Sequence, residues 1–372
     1  MLPTAYLAWV KNLSPELHRP GAVNFCSSAT RPNHTDVSAL LNPKRKSVFT
    51  DPVFQTPAEW GHPGLHKAIA AAYRVPAKNL LTVDGASLAM FLVCRGLLQR
   101  QETALVEWPT YEPFLAAVEA AYAQPLSLWR DPRTMHLSPA LLETMLRRTG
   151  ARAVILSNPH NPSGVLLSND VLHELATVAA RFDAPLIVDE VFRDLVPGAG
   201  ATFRVHENIV AINSLSKVYG LSSLRCSWIT ASERHLSRIR NAWVAIGNIG
   251  SQITEGLATL VLRQQPRFVN FAQKANRAVN AEAALQLRAL ADEGLIALPP
   301  ESVTGVYFPR LTRAHDADAA ADVLRKKKIF VVPGRFFGAP EHIRLGVGQF
   351  ENAKAVRDAF AKLASALRKL PS

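Results

Sequence analysis

From about Leu80 to Ala231 the chain alternates short apolar runs with amphipathic stretches of helix length, and this rhythm restricts the fold more than any other feature. The runs at 80–83, 104–108, 153–156, 185–188, 209–212 and 226–230 are too short for helices, whereas intervening stretches such as 87–99 and 169–181 carry helical spacing. Strands this apolar need cover on both faces, so the pattern predicts an α/β core with a largely parallel sheet wrapped in helices. After Glu233 the rhythm changes. Long helices are expected at 233–246, 251–263 and 266–289, then a strand-like stretch at 303–311 and a helix over 316–327. Two short strands at 329–332 and 343–347 and a terminal helix from about Asn352 follow, which together read as a smaller α+β domain.

Bulk properties remove several classes of function. A formal charge of +12 is compatible with a polyanionic partner, but the cations are scattered or sit in short clusters such as Lys44-Arg45-Lys46 and Lys326-Lys327-Lys328. Without a basic arm or a basic stretch interleaved with aromatics, solvated surface is the better reading and no nucleic-acid partner is expected. Cys26, Cys94 and Cys226 are far apart and odd in number, with no metal-ligand spacing, so reduced thiols and no metal site are expected. No apolar run reaches the roughly 20 residues that cross a bilayer, and residues 1–10 lack a basic leader with an apolar core. The expectation is a cytoplasmic protein with no membrane partner.

Four loops carry the chemistry. Ser214-Leu215-Ser216-Lys217 follows the run at 209–212, which sets a lysine beyond the carboxyl end of a strand, where sites in open α/β sheets collect. A neutral lysine amine condenses with aldehydes, and pyridoxal 5′-phosphate (PLP) is the common cofactor that exploits such an imine. Asp189 ends the apolar run 185–188, where an unpaired carboxylate is costly, so it either pairs with a cation such as a protonated ring nitrogen or caps the next helix. Asn158-Pro159-His160-Asn161-Pro162-Ser163-Gly164 is a rigid turn that offers amide donors to a ring oxygen, or else a plain tight turn. Asp84-Gly85-Ala86-Ser87 precedes a helix start, so the Ala86 and Ser87 N–H groups and the Ser87 hydroxyl can face a phosphate, with Ser214 and Arg225 completing the cradle. A capped helix would leave the same trace. Tyr111 offers an aromatic face.

These segments, in this order, resemble the class I/II aminotransferases of the fold-type-I PLP superfamily. The resemblance rests on Gly85-Ala86-Ser87, Pro109-Thr110-Tyr111, the Asn158 to Gly164 turn, Asp189-Glu190-Val191, and Ser214 to Leu221 with Leu224-Arg225, and it spans about Trp60 to the end. It implies an α/β PLP-transferase fold with a mostly parallel, seven-stranded type of sheet flanked by helices, plus the smaller α+β domain. It divides the chain into an amino-terminal arm with part of the small domain at 1–38, a large PLP-binding domain at 39–270 and a carboxy-terminal small domain at 271–372. It implies Lys217 as the imine-forming lysine and Asp189 as the partner of the ring nitrogen. Asn161 would bond the ring hydroxylate, Tyr111 would stack on the ring, and Gly85, Ala86, Ser87, Ser214 and Arg225 would hold the phosphate. Gly305-Val306-Tyr307-Phe308, Val332-Pro333-Gly334 and His342-Ile343-Arg344-Leu345 match the small domain, with Arg344 gripping the substrate α-carboxylate and Asn161 beside it. Amino-acid and 2-oxo-acid substrates and a homodimer are implied as well.

The chain departs from the family in three places. Phe192 replaces a tyrosine that donates to the ring hydroxylate, 54–60 lacks a tyrosine that reaches a neighbouring phosphate, and 23–29 lacks the glycine of a pocket loop. The leading expectation is transamination of an α-amino acid through a Lys217 imine. A cyclase, oxidase, lyase or decarboxylase of amino-acid or natural-product metabolism using the same site, as in capreomycidine synthase-like enzymes, is the alternative. A non-catalytic binding protein, like the aminotransferase-like domains of transcription regulators, fits less well, because Lys217, Asp189, Asn161, Arg225 and Arg344 are intact and no winged-helix segment is seen before Val23.

Overall fold

The computed structural model describes residues 5–32, 35, 39, 60–246, 250–312 and 316–370. The amino-terminal part contributes a helix, Ala5–Leu17, and a short strand β1 (Val23–Asn24). The central sheet then follows as β2 (Leu80–Val83), β3 (Thr103–Trp108), β4 (Gln124–Trp129), β5 (Ala153–Ser157), β6 (Leu186–Asp189), β7 (Ile209–Ser214) and β8 (Ser227–Thr230). Its strand order is β2-β8-β7-β6-β5-β3-β4. Every neighbouring pair from β7 to β4 is parallel, and β8 runs antiparallel to both β7 and β2. The expected mostly parallel sheet of seven strands is therefore present.

The apolar runs became strands because both of their faces are covered. Alternate residues of β5 enter different clusters: Ala153 and Ile155 join Ala89, Val93 and Ile239 on one side, while Val154 and Leu156 join Leu142, Leu172 and Leu175 on the other. Strand β4 did not announce itself as an apolar run. It lies at the sheet edge with Gln124, Leu126 and Trp129 exposed, and Pro125 is tolerated there because an edge strand can spare a donor.

A 28-residue helix, Gln265–Asp292, carries the chain from one apolar cluster to another. Phe268, Val269 and Ala272 pack with the helices under the sheet, whereas Val279, Ala283, Leu287 and Leu290 pack with the carboxy-terminal strands and helices. Those strands are β9 (Val306–Tyr307), β10 (Ile329–Phe330), β11 (Val332–Pro333) and β12 (Ile343–Gly346), with β11, β12 and β9 forming one antiparallel sheet. The strand expected over 303–311 contracts to β9 and single bridges at Arg310 and Leu311, because Pro309 interrupts the ladder and Gly305 turns with φ +73°. Strand β1 pairs in parallel with β10, so residues 23–24 lie beside the carboxy-terminal strands, far away in sequence.

Candidate active site

Strands β5, β6 and β7 end at the same edge of the sheet, with Ser157 opposite Asp189 and Asp189 opposite Ile212. A cleft of about 350 Å³ opens there, lined among others by Ala86, Ser87, Tyr111, Asp189, Ser214, Lys217 and Arg225. That volume suits a small ligand. A larger cleft of about 490 Å³, between the long helix and the loop at 298–302, carries none of the residues singled out for chemistry.

Lys217 and Asp189 face this cleft, both half-buried. Burial, reinforced by Arg344 and Arg225 and opposed by Asp189, pulls the Lys217 ammonium down to about 8, so much of it is a neutral amine in mildly basic water. Burial pushes the Asp189 carboxyl up to about 6, against the Val191 N–H that donates to it at 3.1 Å and the charge of Lys217. The Val191 bond satisfies part of the capping reading. It leaves the carboxylate short of a full cationic partner.

At the other end of the cleft the helix Ala86–Leu97 begins at Gly85, whose φ is +102° and which supplies no side-chain cap. A Cβ at this position would lie 1.9 Å from Arg225 Nη2, so only glycine lets the guanidinium reach the helix start. Free N–H groups of a first helical turn beside a guanidinium favour an anion. The donor set therefore fits a ligand with an anionic group at one end and a cationic ring nitrogen at the other, which is the outline of PLP.

Gly85, Asn161 and Arg344 stand behind the lining. Arg344 is 1% exposed and donates from Nη1 to Asn161 Oδ1 (3.2 Å) and from Nη2 to Cys26 O (2.8 Å) and Tyr6 Oη (3.1 Å). The rings of Phe337 and Tyr6 flank it at 5.0 and 5.7 Å. These partners are all neutral, and Arg344 Nε has no partner among the described residues. The guanidinium charge therefore has no carboxylate partner among the described residues. Phe192 is 3% exposed and packs into the apolar cluster beside Val191 and Leu195, so it supplies no donor. Residues 54–59, where the second tyrosine is missing, lie outside the described residues.

Sequence reasoning passed over one network. Arg130 donates from Nε and Nη2 to Glu107 Oε2 at 2.9 and 2.6 Å, and Glu107 Oε1 accepts from the Ser157 N–H and hydroxyl. The Ser157 hydroxyl oxygen in turn accepts from the Asn161 N–H at 2.9 Å, so the ion pair fixes the turn that presents Asn161. His160, fully buried, bonds Ser163 Oγ and Pro109 O and is kept neutral by burial and by Arg130. A carboxylate inside the apolar run 104–108 was the available signal, of the same kind that exposed Asp189. Glu107→Gln leaves the Arg130 charge buried without a counter-ion, so urea denaturation is expected to show a loss of about 3–5 kcal/mol. A loss below about 1 kcal/mol would mean that the pair is dispensable. Tyr6 and Ser28 also escaped notice, because their partners are more than 180 residues away.

Comparison with known proteins adds an independent observation. The family described as "Aminotransferase class I and II" matches residues 23–360. Capreomycidine synthase of Streptomyces vinaceus is 29% identical over 307 residues, covering 79% of this chain and 76% of that protein. The aspartate/prephenate aminotransferase of Thermus thermophilus is 23% identical over 385 residues, covering 98% and 96%. A PLP-dependent aminotransferase from Streptococcus suis superposes with a TM-score of 0.84 at 19% identity, over 100% of this chain and 99% of that one, a likeness of fold.

Proposed function

From the premise that the chain belongs to the class I and II aminotransferases, a PLP-dependent family, we propose that Lys217 is its catalytic lysine and Arg344 its substrate carboxylate receptor. The observation that carries this reading is the Lys217 amine, lowered to about 8 in a cleft it shares with an under-neutralised carboxylate and a cationic cradle. Asp189 would pair with the ring nitrogen of PLP, Asn161 with its ring oxygen and Tyr111 with its face. Gly85, Ala86, Ser87, Ser214 and Arg225 would hold its phosphate. PLP, when bound, supplies a carbonyl that condenses with amines and a ring that accepts electrons.

The protein's own residues do the rest. Arg344 seats the α-carboxylate of an amino acid in its fork and so fixes which bond of the α-carbon faces Lys217. Lys217 Nζ, neutral for much of the time, takes the α-proton, holds it and can return it on the same side of the cleft. A 2-oxo acid, carrying the same carboxylate, is the acceptor that Arg344 seats in the second half of the exchange. Arg344→Ala is expected to raise KM for the amino acid roughly 100-fold, the scale of two lost charge-assisted hydrogen bonds, with cofactor absorbance at saturation unchanged. Lysine at 344 should recover only part of the loss, since it lacks the fork. An unchanged KM in the alanine variant would remove Arg344 from this role.

One observation favours a second reading. The relative with 29% identity is named a synthase, and Phe192 removes an expected donor, so the same lysine chemistry could end in ring closure or elimination. Incubation with an amino acid separates the two. A 2-oxo acid with amino-group transfer supports transamination, and a cyclic product with the amino group retained rejects it.

The reading extends to a cytoplasmic homodimer. Three free, buried cysteines fit a reducing compartment, and among the described residues no helix is long and apolar enough to cross a membrane. Dimerisation follows from the family likeness, as does the division into 1–38, 39–270 and 271–372.

A further inference from the structure

Residues 23–31 form a strap between the carboxy-terminal strands and the loop that carries Lys217. Its backbone is tied on one side, with Phe25 N–H donating to Phe330 O (2.9 Å), Gly346 N–H to Phe25 O (2.8 Å) and Arg31 N–H to Gly348 O (3.1 Å). It lies so close that a Cβ on Gly346 would come within 1.9 Å of Ser27 O and one on Gly348 within 2.9 Å of Ala29 O. On its other side the strap meets Gly220, where a Cβ would lie 3.0 Å from Thr30 O. Backbone so confined holds its side chains in place.

Two of those side chains grip one residue. The Thr30 hydroxyl lies 2.8 Å from Lys217 O and 2.5 Å from Val218 O, and Thr30 N–H donates to Lys217 O at 3.1 Å. Two positions earlier, Ser28 Oγ accepts from Lys217 Nζ at 3.1 Å. The lysine is thus held at its carbonyl by Thr30 and at its amine by Ser28.

We propose that Ser28 is a positioning residue of the transamination site, whose hydroxyl oxygen accepts one hydrogen of the Lys217 amine and fixes rotation about the Cε–Nζ bond. A lysine side chain left free samples many rotamers, and freezing it in advance removes that cost from the proton-transfer step. With one N–H committed to Ser28, the second hydrogen and the lone pair of the neutral amine share the two remaining positions on Nζ. The inference rests on the assignment of Lys217 made above. It makes the strap, where the expected glycine is absent, a working wall of the site.

The test compares the full-length wild type with Ser28→Ala and Ser28→Thr. With an amino acid the wild type turns over, Ser28→Ala is expected to lose roughly tenfold in kcat, the scale of one hydrogen bond, with KM within about twofold, and Ser28→Thr to recover most of kcat. A second readout needs no turnover: the pH dependence of reductive methylation at Lys217 in the cofactor-free chain, followed by peptide mass spectrometry. Asp189, Arg344 and Arg225 face the amine in every variant, so removing the acceptor that favours the ammonium should lower the midpoint by roughly half a unit to one unit. A midpoint that stays put in Ser28→Ala overturns the proposal, whatever kcat does. Loss of kcat together with thermal stability, unrelieved by threonine, overturns it too by making Ser28 structural. Full activity in Lys217→Ala would instead strike at the assignment of the lysine.

Discussion

Replacing Lys217 with alanine is expected to lower kcat/KM by about 10⁴-fold, the upper range for loss of a positioned general base, while leaving the fold intact. The size follows from the combination of roles: the amine is the group that would condense with the cofactor and the group that would carry the α-proton. Arginine at this position should rescue nothing, because a guanidinium does not give up its proton in a protein. Stability should hold or rise, since Lys217 is pulled down to about 8 chiefly by burial and so gains little from its charged form. Circular dichroism and melting temperature check the fold, and initial rates check the loss. A variant that keeps a tenth of the wild-type rate would contradict the role.

Asp189→Asn carries the second large effect, with opposite signs for chemistry and for folding. Asparagine cannot hold a proton on a ring nitrogen by charge, so kcat is expected to fall by about 10³-fold. In the cofactor-free chain the carboxyl stands at about 6 against an ordinary 3.8, so the folded form binds its proton more readily than the unfolded form. Stability contributed by this group is therefore present at acid pH and lost as pH rises from about 4 through about 6. Asparagine removes that loss. Urea denaturation of the cofactor-free chain at pH 8 should show the variant more stable, by at most about 2–3 kcal/mol given that cleft water screens part of the charge, with roughly half the difference at pH 5. Equal stability at both pH values would mean that the carboxylate is already fully neutralised by its neighbours.

The parts of the fold that were legible in the sequence share a physical cause. Strands β5, β6 and β7 are covered on both faces, so burial wrote itself as unbroken apolar runs, and a charged residue at the end of such a run, as at Asp189, stood out. Strand β4 was illegible because an edge strand has no such cover. Lys217 and Arg225 were readable through their neighbours in a loop, and Arg344 through a motif. Glu107 left the same signal as Asp189, yet its partnership with Arg130 depends on the parallel pairing of β3 with β4 and β5, which only the topology reveals. Ser28, Thr30 and Tyr6 were out of reach, because nothing in residues 1–31 indicates that this strap turns back across the loop at 217.

Different parts of the chain build the cleft and the residues behind it. The cradle at Gly85 and Arg225 and the pair Asp189 and Lys217 lie on the sheet and its loops, whereas Arg344, on β12, is held by Tyr6 of the amino-terminal helix, Cys26 of the strap and the ring of Phe337, which follows β11. Cofactor and substrate would thus be gripped by different parts of the chain, with Asn161, bonded to Arg344, standing between them.

Whether Lys217 holds the cofactor is measured most directly by borohydride reduction of the loaded protein followed by peptide mass spectrometry. Borohydride fixes PLP to whichever amine it is joined to. The added mass is expected on the peptide that contains Lys217, and is expected to be absent when an amino-acid substrate is added in excess before reduction; the mass on any other lysine, in protein that is active, would contradict the role of Lys217.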